Sequence, residues 1–193
     1  MPENASTIPA ESTGFALVHP LDEFYAMAGQ SLPPLSRVDG EEVPEPYHTL
    51  LVHQNDMTPT IEKFHGSLVH LEVLGRRRKG DAYFREVVLR LDSSNQPVEF
   101  GAIKINLELF TPIARQQILE EHQPLGHILH DYKIAHTSRP SAYLRLASDK
   151  LINQVLGLTG AQVLYGRRNT LYDPQQRPLA EIVEILPTHI NNK

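Results

Sequence analysis

The sequence contains no cysteine and no tryptophan. Without cysteine there is neither a disulfide framework nor a thiolate-bound metal. The opening stretch MPENASTIPAEST has no basic segment followed by an apolar run, so the expected compartment is the cytoplasm. No stretch approaches the roughly 18 consecutive apolar residues that a membrane-spanning helix needs, and no membrane partner is expected. A basic excess is missing too: 18 Lys and Arg face 23 Asp and Glu, for a formal charge of -5. That balance lacks the overall electrostatic footprint of a nucleic-acid-binding protein. No internal repeat recurs at a fixed period.

What is present is an ordinary globular composition, 40% hydrophobic and 21% charged over 193 residues, enough for one domain with a real core. Residues 1–13, rich in Ser, Thr, Glu, Pro and Ala, offer little to bury and are expected to form a mobile tail. Residues 14–193 are expected to form a single domain, acting as a monomer.

The segment DAYFREVVLRL, residues 81–91, contains a charge where the pattern calls for none. Read as a strand, it puts Tyr83, Arg85, Val87, Leu89 and Leu91 on one face. Arg85 therefore sits in an apolar row. A guanidinium keeps its proton and is costly to desolvate unpaired, so Arg85 needs a carboxylate from the chain or from a ligand, unless it snorkels to solvent.

Around that strand the elements follow from periodicity and punctuation. A short helix is expected within 17–29, then an irregular proline-rich lead-in to residue 47. HTLLVH (48–53) is either a strand or a helix end. In NDMTPTIEKFHG, Thr58 and Pro59 suit a helix entrance and Gly66 its end. Met57 at that entrance is either core filler or a ligand contact. SLVHLEVL, the Arg85 strand and PVEFGAIKIN form an antiparallel meander. GRRRKG is expected as the first turn, with Arg76, Arg77, Arg78 and Lys79 solvated rather than bound to nucleic acid. Gly101 marks a bulge or a close backbone approach. Lys104 shares a face with Val98, Phe100 and Ala102 and is a second candidate cation. Two capped helices follow in TPIARQQILEEH and PLGHILHDY. His127 and His130, with His122 and His136 nearby, invite a metal, but no carboxylate or cysteine completes a ligand set at a recognised spacing, so no metal is expected. Residues 141–157 read as an amphipathic helix with a stripe of Leu144, Ala147, Leu151 and Val155. The chain ends in a hairpin whose last strand carries Glu181 and Glu184. Being three apart, they face opposite ways, so at most one points inward, as a partner for Arg85 or as a pocket carboxylate.

The order FREVVLR, QPVEFGAIKIN, QPLGHIL and YGRRNTLYDPQQRPLAEIVEILP, with NDMTPTIEKF before it, resembles the chorismate lyase family over roughly residues 46–187. The resemblance implies an α+β fold: a central antiparallel sheet with helices closing over an internal cavity. It implies conversion of chorismate to 4-hydroxybenzoate and pyruvate without metal or cofactor. Position by position it implies Arg85 as the grip on the ring carboxylate, Leu125 and Met57 as apolar cover, and Glu184 as hydrogen-bond acceptor for the ring 4-hydroxyl and a base toward the C4 proton. Aligned without a gap, some members place their glutamate over Val183, a difference that a bulge reconciles. Where close relatives carry Arg after the strand glycine this chain has Ala102, and Lys104 stands as its substitute. The competing expectation is a non-catalytic module that binds a small aromatic acid on the same scaffold, as in regulator effector domains that resemble chorismate lyase. A third is a lyase that makes a different hydroxybenzoate.

Overall fold

The computed structural model describes residues 17–188; the tail expected over 1–13 lies outside them. Seven strands form one antiparallel sheet in the order β1-β5-β6-β7-β4-β3-β2. The strands are β1 (Leu35–Val38), β2 (Val69–Lys79), β3 (Ala82–Leu91), β4 (Pro97–Asn106), β5 (Thr137–Ala147), β6 (Val163–Tyr172) and β7 (Pro178–Leu186). Among the described residues, six α-helices cover the sheet: α1 (Leu21–Met27), α2 (Tyr47–Leu51), α3 (Met57–His65), α4 (Pro112–Glu120), α5 (Leu125–Asp131) and α6 (Lys150–Leu156). This is the expected α+β architecture.

Strand alternation sorts the core into two sides. On one side Phe84, Phe100, Ala102, Val183 and Ile185 pack with Leu21 and Phe24 of α1 and Ile152 and Leu156 of α6. On the other side there are two apolar clusters. One joins Ile103 and Ile105 to Ala114 and Ile118 of α4 and Leu125, Ile128 and Leu129 of α5. The other joins Leu89, Leu91 and Leu186 to Leu50 and Leu51 of α2 and Met57 and Ile61 of α3. The two helix pairs meet along a seam over the middle of the sheet.

Several local expectations are corrected. Residues 141–147 lie in β5, not in a helix: Ala142, Leu144 and Leu146 are buried in alternation, and pairing to β1 and β6 outweighs the helical stripe. Only the short α6 is helical there, with the Asp149 side chain accepting from Ile152 N at 2.8 Å and Gly157 closing it at φ +68°. Arg76, Arg77 and Arg78 are not in a turn, because β2 runs on to Lys79 and the chain reverses at Gly80 and Asp81. The α3 N-cap is Asp56, not Thr58. Pro59 still falls in the first turn, where its missing N–H costs nothing. The proline-rich lead-in contains the edge strand β1, and HTLLVH resolves as the end of α2.

Candidate functional site

The sheet face beneath the seam is a grid. Reading across β3, β4, β7 and β6, one row is Arg85, Ile103, Ile182, Asn169; the next is Val87, Gly101, Glu184, Arg167. Glu99 begins a third row on β4, opposite Leu89 of β3. Two glycines let the strands close up around Glu184. A Cβ on Gly101 would lie 1.9 Å from the Val183 carbonyl oxygen, and one on Gly166 would lie 2.4 Å from that of Glu184. The close backbone approach expected at Gly101 is thus present.

Over this grid lies a cavity of about 60 Å3. Arg85, Val87, Leu89, Glu99, Ile103, Asn169 and Glu184 line its floor and walls, and Met57 and Thr58 of α3 and Leu125, Gly126 and Leu129 of α5 its cover. Arg85, Glu184, Met57 and Leu125, four of the five residues singled out in the sequence, come together here. Lys104 does not. One residue along from Ile103, it projects from the opposite face, where its Nζ donates to Glu181 Oε2 at 2.6 Å. Glu181 is also bonded by Arg168 at 3.4 Å, which leaves Glu184 as the inward glutamate of β7.

Arg85 is 2% exposed. Among the described residues its Nε and Nη1 have no hydrogen-bond partner. Burial lowers its pKa to about 10, opposed by Tyr83 and Glu121, so it is cationic at neutral pH. Glu121 is already engaged, bonded by Tyr83 and by Arg76 Nη2 at 2.6 Å. A buried cation without a bonded anion is what a carboxylate-binding cavity requires.

Glu184 is placed differently. Arg167 of β6, fully buried, reaches across the strand pair and donates from Nε to Glu184 Oε2 at 2.5 Å. Its Nη1 donates to the carbonyls of Leu51 at 3.4 Å and His53 at 3.2 Å, and its Nη2 to that of Asn55 at 3.1 Å. The guanidinium thus ties the α2–α3 connection to the cavity floor. His53 lies against it, with Nδ1 accepting from Asn55 N at 3.1 Å and Nε2 donating to Leu50 O at 2.7 Å. Burial, then the neighbouring Arg167 charge, lower the His53 pKa.

Sequence reasoning missed Arg167, Glu99 and Asn169. Arg167 and Asn169 share a face with Tyr165 and Leu171 in YGRRNTLY, and Glu99 shares its face with Gly101, Ile103 and Ile105, the face opposite Lys104. Glu99 is buried with Oε2 unpartnered, and Asn169, whose Nδ2 donates to Ser138 Oγ at 2.9 Å, leaves its Oδ1 unpartnered. The histidines do not converge. His127 bonds Glu62 at 2.8 Å, His136 bonds Asp56 at 2.9 Å and His130 bonds its neighbour Asp131.

No protein-family model matches the chain, and no curated protein matches it. Solved structures do. The chain is similar to PhnF from Mycobacterium smegmatis, at 12% identity and a TM-score of 0.55, over 71% of this chain and 65% of that one. It is similar to the effector domain of the same protein at 12% identity and a TM-score of 0.54, over 72% of this chain and 91% of that one. A possible transcriptional regulator, YydK from Bacillus subtilis subsp. subtilis str. 168, matches at 10% identity and a TM-score of 0.54, over 96% of this chain and 87% of that one. The match spans just under two thirds of PhnF but nearly all of its effector domain. At these identities the likeness is one of fold, the chorismate lyase-like α+β fold, with the cavity between its sheet and its paired helices.

Proposed function

We propose that this domain binds a small organic acid, of the aromatic carboxylate class, in the cavity above β3, β4 and β7. The observation that carries the reading is Arg85: a guanidinium buried in an apolar wall, unbonded on Nε and Nη1, beside the cavity it lines. A ligand carboxylate would accept from it in a desolvated setting, where such a charge-assisted bond is strong and geometrically selective. Met57 and Leu125 would cover the ring. The cavity of about 60 Å3 is smaller than the ~150 Å3 that accommodates benzene. Entry of a benzoate-sized acid therefore requires α3 and α5 to separate. The effector domain of PhnF shares this fold, which supports binding as the basic activity.

A second reading is favoured by Glu184 at the cavity wall and by the order of motifs that resembles chorismate lyase. In it the bound acid is chorismate. The C3–O ether bond breaks, the C4 proton is lost as the ring aromatises, and the enolpyruvyl group leaves and is protonated to pyruvate, giving 4-hydroxybenzoate. Arg85 would hold the ring carboxylate. Glu184, with Oε2 committed to Arg167, would offer its other oxygen to the ring hydroxyl. The work asked of the site is positioning and exclusion of water.

Thermal stabilisation of the purified protein by 4-hydroxybenzoate, lost in Arg85→Ala, tests binding. Release of pyruvate from added chorismate tests the lyase reading. Binding without pyruvate leaves the effector-type module, and no stabilisation by any benzoate would remove both.

A further inference from the structure

We propose that Glu99 is a specificity-determining residue of this cavity, donating a hydrogen bond to an acceptor oxygen that the bound acid carries at the end away from Arg85. The inference rests on the reading that the cavity takes an organic acid. It adds the chemistry of the far end, which Arg85 does not address.

The placement comes from register. On β4, Ile103 lies opposite Arg85 and Glu99 opposite Leu89, so the two charged positions are separated by two rows of the grid, about 13 Å along the strands. A ligand gripped by its carboxylate at Arg85 thus extends towards Glu99. Glu184 stands in the row between, opposite Gly101.

Glu99 is 6% exposed and lines the cavity, and among the described residues its Oε2 has no hydrogen-bond partner. Arg167, the cation of this corner, directs Nε to Glu184 and its other nitrogens to backbone carbonyls. Burial first, then the charge of Glu184, push the Glu99 carboxyl well above the usual carboxylate range, against the opposing pull of Arg167. In its protonated form, which that surrounding favours, Glu99 offers an O–H to the cavity, where an ionised carboxylate could only accept. A buried donor left unsatisfied is costly, and a ligand oxygen relieves that cost. Glu99 and Glu184 together then describe a hydroxyl: it accepts from the acid and donates to the carboxylate. The ligand class is narrowed to acids with a hydroxyl opposite the carboxylate.

The test compares the affinities of 4-hydroxybenzoate and benzoate by calorimetry for the wild type, Glu99→Gln and Glu99→Leu. The wild type is expected to prefer 4-hydroxybenzoate. Glu99→Leu should lose about tenfold of that preference, the worth of one buried hydrogen bond, and Glu99→Gln, whose amide still donates, should keep most of it. A second measurement needs only the near-isosteric variant. The infrared band of a protonated carboxylic acid should be present in the wild type, absent in Glu99→Gln, and shifted by 4-hydroxybenzoate but not by benzoate. An unchanged preference in Glu99→Leu, or no protonated-acid band lost in Glu99→Gln, overturns the inference and leaves Arg85-dependent binding standing. If neither acid binds the wild type, the binding reading falls and this inference with it.

Discussion

Arg167 Nε lies 2.5 Å from Glu184 Oε2 across the β6–β7 pair, so the one glutamate that reaches the cavity with a bonded counter-charge is answered from within the chain. Arg85, on the same sheet face and buried to a similar degree, has no such bond. An internal ion pair and an unanswered cation within one cavity make opposite demands on stability, so the two arginines can be told apart by substitution.

Arg85→Met should stabilise the unliganded protein and abolish its affinity for aromatic acids. Replacing a buried, unpaired cation by an apolar side chain of similar volume removes a desolvation cost, and such exchanges gain of the order of 1–4 kcal/mol. Stranding the ligand carboxylate costs roughly 2–5 kcal/mol of binding. Chemical denaturation and titration with 4-hydroxybenzoate read the two effects separately. A loss of stability in Arg85→Met would mark the residue as structural.

Arg167→Met should do the reverse. It leaves Glu184 buried without its cation and removes the donor to the carbonyls of Leu51, His53 and Asn55. The expected loss is about 3–5 kcal/mol, seen as a lowered denaturation midpoint. Arg167→Lys should recover little, since a single ammonium cannot reproduce the guanidinium fork that reaches one carboxylate and three carbonyls.

The sequence made Arg85 legible because one strand, FREVVL, carries its own pattern: a charge in a period-two apolar row needs no knowledge of neighbouring strands. Met57, Leu125 and Glu184 were reached through motif order instead. Lys104 failed because the meander's third strand was read from the wrong side. Phe100 and Ala102 are apolar, but their face packs on α1 and α6, whereas Glu99, Gly101 and Ile103 look into the cavity. A strand buried on both faces gives no internal sign of which face meets the ligand. Arg167 depends on the β6–β7 register, which slips by one residue between Leu171 and Tyr172, and counting back from the turn does not show where that slip falls. Residues 141–147 failed for a related reason: β5 lies between β1, about a hundred residues earlier, and β6, beyond the α6 connection, and neither pairing is visible within the segment itself.

On the far side of the sheet, Glu86 should make stability fall as pH rises. It is 8% exposed with Oε1 unpartnered, and burial, then the charge of Asp149, raise its pKa to about 7. Below the unfolded value of about 4.5 both states are protonated and Glu86 contributes nothing to the pH dependence. Between there and about 7 the unfolded chain releases the proton that the folded chain retains, so stability declines; above about 7 the penalty is constant. Because water still reaches part of this carboxyl, the full penalty is about 1–2 kcal/mol. Glu86→Gln should therefore match the wild type in urea at about pH 4 and exceed it by that amount at about pH 8. An equal difference at both values would assign the effect to packing instead.

The cover of the cavity turns on a contact between its two helices. A Cβ on Gly126 would stand 2.7 Å from Thr58 Oγ1 and 2.8 Å from Thr58 Cβ, so the first turn of α5 rests directly on that of α3. Gly126→Ala cannot keep this closure; the helices must separate or shift by several tenths of an ångström. Overpacking of this kind costs roughly 1–3 kcal/mol, partly offset by the better helix propensity of alanine. The seam is also the entry route proposed for the acid, so the variant should bind and release 4-hydroxybenzoate faster, with dissociation accelerated more than association because the closed state is what loses stability. Stopped-flow measurement of both rates is the check, and a double-mutant cycle with Thr58→Ala, which removes Oγ1 from the clash, should show coupling between the two positions. Unaltered rates with reduced stability would mean that ligand enters elsewhere, and that the contact between Gly126 and Thr58 holds the fold together without gating the site.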